Sequence, residues 1–209
     1  MMGIHHYWLF IATAIVLILT PGQDTFFILG RSLASGRPAG IAAALGITAG
    51  SLMHTLLAAL GLSALLATSP QAFMVVKFAG AAYLLYIGVR ALLSRNGGMP
   101  GAEARGTDTR WSAFRQGILS NLLNPKVALF FLALMPQFIS AGSIHKVGAF
   151  LVLGLTFVTL GVAWCMALAV GAAYLRGAFL RRPSLAGVLH KIAGAMFIAL
   201  GLRLAAVRQ

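Results

Sequence analysis

Six apolar stretches run through the 209-residue chain, each with about the 20 residues needed to cross a lipid hydrocarbon core. They cover Tyr7 to Gly30, Ala39 to Ala67, Ala72 to Leu93, Trp111 to Ile139, Val147 to Leu175 and Ser184 to Val207. A backbone surrounded by lipid must satisfy its own N–H and C=O groups, so each stretch is predicted to be a helix. The fold class is all-α integral membrane, with six transmembrane helices. Only 9% of the residues are charged, against about 25% in a soluble domain, which leaves no room for a separate soluble unit. Ser69-Pro70 marks a tight turn, and Ser94 to Arg110 is the one polar, glycine-rich connection. The domain reading is a single membrane unit, 1–209, made of a first repeat 1–93, a cytoplasmic loop 94–110 and a second repeat 111–209.

Sixteen Lys and Arg against three acids give a net charge of +13. In a soluble protein that excess would point to nucleic acid. Here no basic stripe with interleaved aromatics lies outside the spans, so no nucleic-acid partner is expected. With the N-terminus outside, the inner side holds Arg31, Arg37, Arg90, Arg95, Arg105, Arg110, Arg115, Arg176, Arg181, Arg182 and Lys191. The outer side holds Lys77, Lys146, Arg203 and Arg208, and eleven against four obeys the positive-inside rule. The single cysteine, Cys165, lies in an apolar run and excludes an internal disulfide. No metal or cofactor is expected. No basic segment or small-residue cleavage site accompanies the first stretch, which is read as a retained helix.

Internal similarity sharpens the fold. Lys77-Phe78-Ala79-Gly80-Ala81-Ala82-Tyr83 in the third stretch matches Lys191-Ile192-Ala193-Gly194-Ala195-Met196-Phe197 in the sixth, at an offset of 114. Pro21 with Phe26-Phe27 matches Pro125 with Phe130-Phe131 at an offset of 104. Leu45-Gly46-Ile47-Thr48 matches Leu153-Gly154-Leu155-Thr156. Three spans per copy is an odd number, so the second copy must be upside down. The predicted architecture is two inverted three-helix repeats with broken first and fourth helices, a recurrent plan of secondary transporters. Duplicated packing without transport is the alternative.

The breaks are where chemistry is expected. Thr20-Pro21-Gly22-Gln23-Asp24 interrupts the first span and Asn121-Leu122-Leu123-Asn124-Pro125-Lys126 the fourth. Proline lacks the N–H that an uninterrupted helix would use and collides with the preceding turn. Pro21 lies ten residues from Arg31, and Pro125 ten from Arg115. Ten residues of helix rise about 15 Å, half of a hydrocarbon core of roughly 30 Å. Asp24 is the only acid within a span, since Glu103 and Asp108 fall in the loop. A carboxylate at that depth is expensive unless paired or hydrated, so its expected partner is an ammonium-bearing substrate or a proton. Lys126 is the matching cation, suited to a substrate carboxylate. A structural ion pair between Asp24 and Lys126 is the competing reading. His54, near mid-depth in the second span, is either a proton carrier or a hydrogen-bonded core histidine. Asn121 and Asn124 are expected to donate and accept across the cavity. Gly46 and Gly50 are read as a close helix contact.

The motifs also resemble a known family. Thr20-Pro21-Gly22 with Gly30-Arg31-Ser32-Leu33-Ala34-Ser35-Gly36, Gly50-Ser51-Leu52-Met53-His54, Lys77 to Leu84, Asn121 to Lys126 and Pro136-Gln137-Phe138 are similar to signatures of the LysE/RhtB family. These are the lysine exporters and homoserine/threonine resistance transporters of bacteria. The resemblance covers nearly the whole chain. It implies a six-helix protein of the bacterial inner membrane that exports amino acids or their derivatives, driven by the proton gradient, and often dimeric. The look is closer to the homoserine/threonine/leucine branch than to the basic one. One position departs: the family usually reads Pro-Gly-Pro in the first helix, and here Gln23 replaces the second proline. The exporter reading makes Pro21, Gly22, Gln23, Asp24, His54, Asn121, Asn124, Pro125 and Lys126 the substrate-binding or coupling set. An intramembrane enzyme or a channel-like protein is the alternative. The first would need a nucleophile–base or acid–acid constellation and the second a ring of polar side chains, and neither pattern is present.

Overall fold

A computed structural model describes residues 3–62, 109–140 and 142–181, with side chains through 172 in the last segment, and scattered positions between 71 and 93 and between 195 and 202. Apart from those positions, the third and sixth apolar stretches, the loop 94–108 and the motifs at Lys77 and Lys191 lie outside the described residues. Among the continuously described residues the α-helices are, in order, α1 (Tyr7–Leu19), α2 (Gln23–Ser35), α3 (Arg37–Leu57), α4 (Arg110–Leu122), α5 (Pro125–Leu129) and α6 (Lys146–Arg181). A π-helical turn, Ala58–Leu62, extends α3. The π-helical turn Phe130–Leu134 and the 3-10 turn Met135–Phe138 extend α5. Among the described residues the one β-type pairing is an isolated bridge between Ile4 and Ile139.

Two of these helices, Arg37–Leu62 and Lys146–Ala172, are long and apolar enough to cross a membrane alone. α1 with α2, and α4 with Pro125–Phe138, qualify as bent pairs, and both bend by 46°. The chain is a multi-pass helical membrane protein with two to four candidate spans among the described residues. Two expected boundaries shift. The first span continues past Gly30 to Ser35 because Arg31 is not in a loop: it is 5% exposed and donates to Gln116. Gly36, at φ +82°, ends that helix in a conformation that favours glycine, and Pro38 fits the first turn of α3. The fifth span continues past Leu175 to Arg181.

Hydrogen bonds reveal how the elements run. Along the first span, residue numbers rise as their partners in the fourth fall: the Ser140 amide donates to the Gly3 carbonyl (2.8 Å), Gln23 Nε2 donates to the Ser120 carbonyl (3.2 Å), and Arg31 donates to Gln116. The two broken spans are therefore antiparallel neighbours. The first span also runs in the direction of α6, and α3 in the direction of α4, where Gly46 lies against Phe114 and Gly50 against Asn121. Tyr7 meets Thr156 (2.8 Å) and Ser32 meets Ala169 (3.4 Å), while Ser51 and His54 meet Asn121. Trp8 and Trp111, exposed at 80% and 64%, open the two broken spans at opposite ends, positions suited to interfacial aromatics.

Lipid tails are as apolar as any core, so helices in a membrane associate through close packing rather than hydrophobic exclusion. Glycine supplies that closeness between α3 and α4. A Cβ on Gly46 would lie 2.1 Å from the Phe114 carbonyl oxygen, and one on Gly117 would lie 2.6 Å from the Ala43 carbonyl oxygen. Neither obstacle is a movable side-chain end. A Cβ on Gly50 would lie 2.8 Å from Asn121 Cβ, so the same contact sets where Asn121 stands. Gly46→Ala is expected to lower the melting temperature in detergent by about 5 °C or more, the scale of overpacking by 1–3 kcal/mol. Gly171→Ala, where a Cβ would meet nothing within 4 Å, is expected to leave it unchanged. Differential scanning fluorimetry of the two purified variants checks both.

Candidate functional site

Each proline frees a carbonyl four residues upstream, and the structure provides each with a donor from another helix. In an unbroken helix the amide at 21 would bond to the Leu17 carbonyl and the amide at 125 to the Asn121 carbonyl. Lys126 Nζ takes the first, donating to Leu17 O at 3.1 Å and to Thr20 O at 3.0 Å. His54 Nε2 lies 3.3 Å from Asn121 O, in the tautomer that donates, and the Asn124 amide donates to the same oxygen at 3.0 Å. The two freed carbonyls are 104 residues apart, the same offset as the prolines. Lys126 thus reaches from the second break to cap the first. Gly22 lets it pass, since a Cβ there would lie 3.2 Å from Nζ.

Asn121 is the hub between the breaks and is 1% exposed. Its Nδ2 donates to Asp24 Oδ2 at 2.8 Å, and its Oδ1 accepts from Ser51 Oγ at 3.2 Å. Asp24 sits in the first turn of α2, where the helix dipole favours an anion. Its other oxygen, Oδ1, is buried and makes no close hydrogen bond. The Asn124 side chain, whose own Nδ2 is likewise buried without a close partner, also interacts with the carboxylate. The expected Asp24–Lys126 ion pair is not formed: the lysine donates to carbonyls of the first break and the carboxylate accepts from Asn121. Backbone carbonyls stranded at a helix break compete successfully for the ammonium, because lipid offers them no donor.

Asp24, Asn121 and Lys126 line a cavity of about 50 Å³, several times the roughly 10–15 Å³ that one water occupies on the same measure. Every described helix contributes to it. Thr25, Ser51 and Trp164 add polar wall, and Leu17, Ile47, Val127, Phe157 and Leu168 make the rest apolar. The cavity lies where two apolar clusters meet: Leu17, Val127 and Phe157 belong to one, and Ile47, Cys165 and Leu168 to the other.

The other residues expected here stand around the cavity rather than on it. Pro21 and Pro125 create the breaks. Gln23 is exposed and bonds to Ser120 Oγ (3.3 Å) as well as its carbonyl, which ties α2 to α4 on the face away from the cavity. Asn124 is buried, and its Oδ1 caps α5 by accepting from the Lys126 amide at 3.0 Å. His54 is half-buried and stacks on Phe131, with ring centroids 5.5 Å apart. Ser51, Thr25, Trp164 and Cys165 were not anticipated. A usable signal existed for Trp164: it lies mid-span, whereas Trp8 and Trp111 open theirs.

Two broken helices beside a polar, partly unsatisfied cavity between apolar clusters are the arrangement by which helical transporters build a binding site. The chain belongs to the LysE type translocator family, which it matches over residues 15–208. That makes it a transporter rather than an enzyme. It is 34% identical to an uncharacterized membrane protein of Pseudomonas aeruginosa, over 98% of this chain and 96% of the relative. Similarity to an uncharacterized membrane protein of Vibrio cholerae is also 34%, over 99% of this chain and all of the relative. A leucine efflux protein of Salmonella typhimurium is 29% identical over 99% of this chain and 98% of its own length. No solved structure matches.

The lysine and the carboxylate have separable roles. Lys126→Met strands two carbonyls, at roughly 1–3 kcal/mol each, and is expected to melt at least 5 °C below wild type in detergent. Asp24→Asn keeps an acceptor for Asn121 and removes a buried charge, so it is expected to melt at or above wild type. Parallel thermal unfolding of the two variants tests this. A lysine variant as stable as wild type would contradict the capping role.

Proposed function

We propose that the chain exports small neutral amino acids, leucine-like or threonine-like, from the cytoplasm across the bacterial inner membrane, with its N-terminus outside and export driven by proton antiport. The observation that carries this reading is the buried, unpartnered Oδ1 of Asp24 in a largely apolar cavity that also contains Lys126. A substrate ammonium would give that oxygen a charge-assisted hydrogen bond, which is stronger than a neutral one. One acidic and one basic side chain make the cavity net neutral, which suits a zwitterion and disfavours a substrate with an extra charge. The apolar wall suits an aliphatic side chain. The leucine efflux relative supports the same substrate class.

The six-span architecture is the frame of the proposal: inverted repeats 1–93 and 111–209 joined by a cytoplasmic loop 94–110. Antiparallel broken spans with equal 46° bends support it. In such a frame one half rocks against the other about a central site, opening it to each side in turn. Asp24 is the coupling group in this scheme, binding either the substrate ammonium or a returning proton. Competition for one carboxylate is the simplest way to make efflux and proton entry alternate. His54, hydrogen-bonded one layer away, tunes the hub rather than binding substrate. Lipid surrounds the bundle, and assembly as a homodimer belongs to the same proposal.

Efflux of labelled leucine, threonine and homoserine from everted vesicles, with and without a proton gradient, tests the reading. Wild type is expected to move at least one of them in a gradient-dependent way. Asp24→Asn is expected to lose at least tenfold in gradient-driven flux at unchanged membrane abundance. Full flux in that variant would remove the carboxylate from the mechanism.

A further inference from the structure

Two side chains on the cavity wall carry a buried polar atom with no hydrogen-bond partner: the acceptor Asp24 Oδ1 and the donor Trp164 Nε1. They come from elements far apart in sequence, α2 and α6. We infer that Trp164 is a specificity-determining residue whose indole N–H donates to the carboxylate of the transported amino acid. This rests on the export reading and identifies the group that recognises the other end of the substrate.

An indole N–H is a donor only, so an ammonium cannot satisfy it and a carboxylate can. Burying it without a partner costs free energy that phenylalanine in the same place would not. The cost is offset when a ligand brings an acceptor. Lys126 reinforces that choice. Two of its three N–H donors are directed at the Leu17 and Thr20 carbonyls, so its charge stays in the cavity while its position is fixed by the first break. The cavity wall therefore contains an acceptor for an ammonium, and both a neutral donor and a fixed positive charge for a carboxylate. The transported class follows: an α-amino acid with both groups free, since an amine alone binds only through the Asp24 end of the site and leaves the Trp164 donor unused.

Displacement of labelled leucine from the purified protein in nanodiscs tests the assignment. Unlabelled leucine is compared with isopentylamine, which has the same side chain and ammonium but no carboxylate. Trp164→Phe keeps the ring and removes the donor. It is expected to weaken displacement by leucine about 10- to 100-fold, the range for a hydrogen bond to a charged group, and to leave displacement by isopentylamine unchanged. Equal weakening of both, or of neither, would overturn the assignment. A second readout needs no variant at position 164. With indole nitrogens labelled, the protein's three tryptophans are distinguished by Trp8→Phe and Trp111→Phe at exposed sites. The Trp164 resonance is expected to move with leucine and not with isopentylamine, and a resonance indifferent to leucine that wild type binds would also sink the idea. Wild type that binds none of leucine, threonine and homoserine would overturn the export reading itself, and this assignment with it.

Discussion

A carbonyl freed at membrane depth has to find a donor, and this fold is organised around two of them. Pro21 and Pro125 remove the amides that would have served Leu17 and Asn121. The protein answers both losses with side chains remote in sequence: Lys126 reaches from the second break to the first, and His54 reaches from α3 to the second. Lipid offers no donor, so each freed carbonyl needs one from the protein or from water in the cavity. These contacts hold two broken spans side by side and bring Asp24, Lys126 and the buried Asn121 into one cluster.

The same constraint explains why Asp24 remains half satisfied. A simple ion pair would have neutralised acid and base together and left nothing for a ligand. With Lys126 committed to backbone carbonyls, one carboxylate oxygen is held by Asn121 and the other makes no close hydrogen bond, the Asn124 side chain being its polar neighbour. A buried acceptor in that state is a strain on stability and an opportunity for binding. Asn121 can stand where it does because Gly50 has no side chain, and α3 can approach α4 because Gly46 and Gly117 have none. Packing and site therefore share the same small residues, and substitutions at the α3–α4 contact should reach the site even where they touch no substrate.

Much of this was legible along the chain. The two breaks, their matched spacing and the identity of Asp24, Lys126, Asn121, Asn124 and His54 as the polar residues near them could be read without coordinates. The roles were less legible. Lys126 looked like a substrate ligand or the counter-ion of Asp24, and it caps a helix end. Gln23 looked like a new polar group at the site, and it faces the other way, toward Ser120. Arg31 looked like a loop residue, and it lies buried inside α2.

The sequence by itself determined the helices, the two breaks and the inventory of polar groups at mid-depth, because each follows from local chemistry: long apolar runs, a residue without an N–H, a rare charge far from any loop. Only the tertiary structure decided which group meets which, and that Trp164 and Ser51 share a wall with Asp24. The reason is physical. In a soluble protein, apolar periodicity marks the face turned inward, but a membrane helix is apolar on every side, and its inward face is set by close contacts with helices remote in sequence.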